Sequence, residues 1–301
     1  MQYHVFGIGV LSDVEVPQLQ PGRGPVDARI RLGRTPSSIE NPTDQTAWYQ
    51  RNDMQCLFSI EGVARYYIEK GQTIIVEPQP GVDPQTIALW LLGSAMAALL
   101  HQRGVLPLHA SAIETPCGAV LIGGNSGTGK STTAAGLLQR GYRLIADDVS
   151  AITLDAQGTA TVAPAYPQQK LWQDTLDNLE LSSRPLDRLR FYETKYALGR
   201  QEHFCDAARP IRAVYVLAGF GADLMLQPIE GMAKLMVLRQ QIYRPFFMPQ
   251  PPQSAGLLTT LTTLAAQAYV AEVVRPEQGF QLDELINRLI SDFAHWSRSG
   301  V

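Results

Sequence analysis

Residues 118–149 read GAVLIGGNSGTGKSTTAAGLLQRGYRLIADDV, and this stretch decides the fold. Ala119-Val120-Leu121-Ile122 is a short apolar run of the kind that forms a buried strand, and Ser131 to Arg140 reads as a helix with Gly141 placed at its C-terminal cap. Between them Gly124-Asn125-Ser126-Gly127-Thr128-Gly129-Lys130-Ser131 fits G-x-x-x-x-G-K-[ST], a loop whose glycines let backbone N–H groups turn inward around polyphosphate oxygens. Lys130 would reach the outer phosphates, the Ser131 hydroxyl can coordinate Mg²⁺, and Thr132 continues the nucleotide-facing turn where the helix dipole meets the anion. Given this chain's Gly, Lys and Ser+Thr content, such a match arises by chance about 0.4% of the time. Strand, loop and helix also stand in the order the motif needs. An α/β nucleotide-binding core is therefore the expectation.

A second apolar run ends in Asp147-Asp148, seventeen residues after Lys130. That is room for a helix to leave the phosphates and a parallel strand to return. A carboxylate there can hold the hydration shell of Mg²⁺. Strand neighbours point to opposite faces, but where the backbone turns both acids can face the site, one steering the metal and the other accepting a proton from an attacking hydroxyl. An isolated Asp-Asp is more often a solvated turn; its place behind a phosphate loop reverses that weighting. His109 lies in LPLHASAI, a strand expected over Leu106 to Ile113 and paired with the loop's strand through a turn at 115–118. Periodicity alone makes it a core histidine, while the hairpin would bring it beside the acids.

The remaining chain sets bounds. With 301 residues, 45% hydrophobic and 18% charged, there is ample material for a core. A net charge of −3 and a pI near 6 give no basic footprint for nucleic acid. Cys56, Cys117 and Cys205 form neither a disulfide framework nor a C-x-x-C pattern, as reduced thiols in a cytoplasmic protein would. The first residues lack the layout of a signal peptide, and the apolar stretch Ile87 to Leu100 is shorter than the ~18 residues of a membrane span.

Three regions are expected: a β-rich unit over 1–83, with alternating runs at Tyr3–Val10, Ala28–Leu32, Cys56–Ile60, Ala64–Glu69 and Thr73–Val76; a connecting helix over 84–104; and the phosphate-loop domain over 105–301. Its later part shows a strand at Ala213–Ala218 and helices over Gly256–Val274 and Leu282–Trp296, set apart from the core by the prolines at 245–252. Lys195, Arg200, Arg209 and Arg212 could neutralise a transferring phosphoryl group, although solvation is the commoner fate of such residues. Tyr243, Phe246 and Phe247 read as core or interface. There is neither an Asn-Lys-x-Asp segment of a GTPase nor the Ser-Gly-Gly signature of an ABC-type ATPase.

Leu108-His109, GGNSGTGKS and RGYRLIADD over Arg140–Asp148 together resemble the catalytic domain of HPr serine kinase/phosphorylase, over about residues 105–172. The resemblance implies ATP and Mg²⁺ as cofactors, Asp147 as general base, Asp148 as the Mg²⁺-associated acid together with Ser131, and His109 beside them as a catalytic residue. It implies HPr or another small protein or peptide as acceptor, and a homo-oligomer. APAYPQQKLW, KYALGRQEHF and PIRAVYVLA are similar to a branch found with ribosomal peptide biosynthesis, including lasso-peptide precursor kinases, which makes a precursor serine the expected acceptor. HPr kinase/phosphorylase regulating carbon metabolism is the alternative, and a nucleotide-gated binding protein without transfer is a third. HPr kinases that also run phosphorolysis carry Gly and Glu where this chain has Ala110 and Thr132, so the resemblance does not extend to that reverse reaction.

Overall fold

The computed structural model describes residues 1–181, 187–188, 195–276 and 282–298. The chain divides into two compact units. Among the described residues the first joins Met1–Pro107 with Tyr243–Thr259, and the second comprises 108–181, 187–188, 195–242, 260–276 and 282–298.

The first unit is built on a nine-stranded sheet. The run expected as one strand over Tyr3–Val10 is a hairpin, Gln2–Val5 against Ile8–Ser12. Phe6 and Gly7, both at positive φ, supply the two-residue turn whose twist matches the strands. The runs at 28–32, 56–60, 64–69 and 73–76 all form strands. A helix over Pro84–Trp90, a π turn over Leu91–Ala95 and a helix over Met96–Gln102 follow one another. Asp83 caps the first by accepting the Thr86 N–H, and the Tyr66 hydroxyl donates to the Ile87 carbonyl at 3.0 Å, tying helix to sheet. Leu91 to Leu100 are buried there almost without exception. No helix among the described residues is long and apolar enough to cross a membrane. Phe246 meets Trp48 edge-on and stacks on Tyr49, and Phe247 stacks on Phe58, so these aromatics serve the core of this unit.

In the second unit, elements are numbered in chain order. Strand β1 (Ala110–Thr115) pairs antiparallel with β2 (Gly118–Gly124), in the register Ala110↔Gly123 to Thr115↔Gly118 that the hairpin reading requires. Helix α1 (Lys130–Gln139) follows the loop, and β3 (Arg143–Ala146) returns on the far side of β1, aligned with β2. Gly141 takes the left-handed C-cap conformation at φ +89. Strands β4 (Ser150–Leu154) and β5 (Ala160–Ala163) form a hairpin, and β6 (Gln168–Trp172) pairs with β7 (Lys195–Gly199). Between β6 and β7, helix α2 (Gln173–Asn178) follows on. Strand β8 (Arg209–Gly221) lies parallel to β2 on the side opposite β1. Next to it runs β10 (Tyr269–Pro276), also parallel, with β9 (Met225–Pro228) antiparallel at its edge. The central order is thus β3-β1-β2-β8-β10-β9, with the carboxyl ends of β2, β3, β8 and β10 at one end.

Two expectations change here. Helix was expected through Val274, whereas the helix covers Ala255–Gln267 and Tyr269–Pro276 is strand β10, well inside the sheet and not set apart by the prolines. Tyr269, Val270, Val273 and Val274 are residues that fit a pleated surface, and their apolar continuity with the Ala/Leu/Thr helix conceals the junction. Leu106–Ile113 is likewise not continuous, because the strand breaks at His109.

The core gathers on the α1 face of the sheet. Ala134, Leu137 and Leu138 of α1 pack with Ile122, Leu217, Ala271 and Val273, and with Leu285, Ile286 and Leu289 of the helix α3 (Leu282–Arg298). On another side of α1, Ala135 packs against Leu171, Leu176 and Leu198. Burial at this density, worth roughly 1.5–3 kcal/mol per large aliphatic side chain, fixes the direction in which the N-terminus of α1 points.

Candidate active site

The end of β2 turns sharply into the loop. A Cβ at Gly124 would sit 2.9 Å from the Leu217 carbonyl oxygen, and Gly129 takes φ +90, so both positions need glycine. The Gly124 N–H donates to the Gln241 side-chain oxygen at 2.7 Å, and the Gln241 carbonyl accepts the His109 N–H at 2.7 Å. One buried glutamine therefore fixes both the start of the loop and the histidine.

Lys130 is 6% exposed, and its ammonium donates to the carbonyls of Gly124 and Asn125 at 2.8 Å each. Burial lowers its pKa to about 8, against the pull of Asp148 and Asp147.

The two acids part company at the end of β3. Asp147 is buried and fully engaged: the Ser111 hydroxyl donates to its Oδ1 at 2.7 Å, the Ser131 hydroxyl to the same oxygen at 3.0 Å, and the Lys170 backbone N–H to Oδ2 at 3.0 Å. Asp148 takes a left-handed φ of +72, which swings its side chain out of strand alternation and into a cavity of about 210 Å³ lined by His109, Lys130, Ser131, Lys170 and Lys195 as well. There Lys170 Nζ lies 3.2 Å from Oδ2 and His109 Nδ1 3.5 Å from Oδ1. Burial would raise the Asp148 pKa, but Lys170, His109 and Lys195 outweigh it and hold the carboxyl well below the usual carboxylate range. His109 Nδ1 is also 3.0 Å from the Asp148 carbonyl. A carbonyl only accepts, so Nδ1 carries the hydrogen and the neutral ring keeps its lone pair on Nε2. Desolvation lowers the His109 pKa despite Asp148, and desolvation likewise lowers that of Lys195.

The structure thus brings His109, Lys130, Ser131, Asp147, Asp148 and Lys195 together, and joins Ser131 to Asp147, not to Asp148. Thr132 bonds to Thr175 at 2.8 Å. Arg200 is buried, its Nε donating to Gln169. Arg209 pairs with Glu114, and Arg212 donates to the Cys117 carbonyl. Both stand at the Gly118 end of β2, about 20 Å from the loop at ~3.3 Å per residue. A larger cavity, about 670 Å³, opens at that end beside Glu114, Arg140, Arg143 and Arg209; Asp148, the acid that faces open space beside the loop, lines the smaller one. Sequence reasoning missed Lys170, Ser111 and Gln241. Lys170 sits in the noticed stretch APAYPQQKLW, whereas Gln241 is 117 residues from Gly124 and carries no local signal.

Residues 105–171 match the family model of the HPr Serine kinase C-terminal domain. That span contains His109, the loop, both acids and Lys170, and stops short of Lys195. An HPr kinase/phosphorylase of Lactobacillus acidophilus is 56% identical over 58 residues, 19% of this chain and 17% of that protein. One from Streptococcus thermophilus is 40% identical over 76 residues, 25% of this chain and 23% of its own length. The chain thus aligns with less than a quarter of the curated relatives it matches. The solved Hpr(Ser) kinase/phosphatase from Coxiella burnetii aligns with 64% of this chain and 93% of its own, at 13% identity and a TM-score of 0.35. The loop, histidine and acid-pair segment is HPr-kinase-like.

Proposed function

We propose that this protein is an ATP- and Mg²⁺-dependent serine kinase that phosphorylates a hydroxyl of a small protein or peptide. The observation that carries the reading is the convergence of Ser131, Asp147, Asp148, His109 and two further lysines on the phosphate loop. The residues fit the cofactors: glycines open the loop to polyphosphate, and Ser131 with Asp147 offers the hard oxygen donors that Mg²⁺ takes alongside phosphate oxygens and water. Bound there, the ion would neutralise charge on the phosphates.

The geometry favours an exchange of roles between the acids. Asp147 touches Ser131 and has its oxygens engaged, which suits the metal side; Asp148 faces the cavity, which suits receiving the acceptor's proton. Lys170 and Lys195 keep Asp148 ionised and offset the charge spreading over the phosphoryl oxygens. A weak base suffices where the transition state is loose.

The names of the matched relatives make the serine of an HPr-like small protein the first acceptor to try, ahead of a lasso-peptide precursor. Mass spectrometry after incubation with ATP and Mg²⁺ tests this for both. Asp148→Asn should keep ATP affinity within about threefold and lower transfer at least ~100-fold, while Asp147→Asn should weaken Mg²⁺-dependent ATP binding. Full transfer by Asp148→Asn would return the base to Asp147. ATP binding with no transfer to any acceptor would leave a nucleotide-gated binding protein.

A further inference from the structure

The exposed ring of Phe220 is the feature that the phosphoryl chemistry leaves unused. It is 62% exposed, the Arg275 guanidinium lies 4.9 Å from its centroid, and the two residues are register partners at the carboxyl ends of β8 and β10. These strands lie beyond β2 on the side away from Asp147 and Asp148. Arg275 follows Ala271 and Val273 on the face that packs against α1, so the pair stands beside the helix that begins at Lys130. Arg275 also reaches the loop: a Cβ on Gly129 would lie 3.0 Å from its Nη1.

Direction along the nucleotide follows from these positions. Lys130 and the Ser131–Asp147 pair mark the outer phosphates, whereas the loop backbone entering α1 holds the inner ones. With Gly129 against Arg275, the nucleoside leaves over the carboxyl ends of β8 and β10. Ligands of open α/β sheets bind outside such ends. An exposed aromatic ring is a sequence-tolerant stacking surface for a base, and a guanidinium held against its other side adds cation–π attraction.

We propose that Phe220, backed by Arg275, is the nucleobase platform of this protein. The proposal rests on the reading of the loop as a nucleotide site. Isothermal titration of the full chain with ATP and with inorganic tripolyphosphate tests it, because only ATP carries a base. Phe220→Ala should weaken ATP binding about five- to hundredfold, leave tripolyphosphate affinity unchanged, and be rescued by Phe220→Tyr. Arg275→Gln should weaken ATP more than tripolyphosphate. ATP and tripolyphosphate weakened equally, or neither weakened, would overturn the platform while leaving the loop's role intact. A wild-type chain that binds neither ligand would overturn the nucleotide reading itself, and the platform with it.

Discussion

At the residue scale, Lys130 gives the clearest dependence on pH. With a pKa lowered to about 8 by burial, it is charged in the free protein below that value. A bound phosphate stabilises the ammonium and raises its pKa, so above pH 8 binding must take up a proton. ATP affinity should therefore be flat below pH 8 and fall by up to about tenfold per unit above it. Calorimetry in buffers of different ionisation enthalpy would detect the proton uptake, and Lys130→Arg should abolish the slope. The loop, Lys130 and the acid pair were legible because backbone chemistry ties them to a fixed short spacing. The division of labour proposed for Asp147 and Asp148 was not, since it depends on one left-handed backbone angle and on Ser111, Ser131 and Lys170.

Among the elements, the strand-loop-helix unit and the β1–β2 hairpin followed from apolar runs and their punctuation. Strand β10 did not, because no Gly or Pro separates it from the preceding helix. Its burial between β8 and β9 is a tertiary outcome that overrides the local pattern. Gln241 is the C-cap of the helix Met232–Gln240, 117 residues from the Gly124 it supports. Removing its side chain in Gln241→Ala strands the buried Gly124 N–H and should cost about 1–3 kcal/mol. Urea denaturation should show that loss, with weaker ATP binding beside it.

On the scale of the whole molecule, the first unit is discontinuous in sequence. Phe246 and Phe247 arrive from far along the chain to pack on Trp48, Tyr49 and Phe58, and the Gln250 N–H donates to Asp53. Alternation in the first eighty residues shows a β unit, but nothing local to 243–259 announces that it belongs there. A fragment starting at residue 105 keeps these aromatics and loses their partners. It should therefore be less soluble than the full chain, with Phe246 and Phe247 bared to water. Size-exclusion chromatography should find it aggregated, and Phe246→Ser with Phe247→Ser in the fragment should restore much of the monomer.

The positive φ of Asp148 also constrains how this position can change over time. Only glycine, and the short polar side chains of asparagine and aspartate, enter that conformation at small cost. Natural variation here is filtered by the backbone before it is filtered by chemistry. If Asp148 is the base proposed above, a lineage that gave up transfer and kept the fold should replace it by Asn or Gly first, so the residue at this one position would report whether a related chain still acts on a hydroxyl.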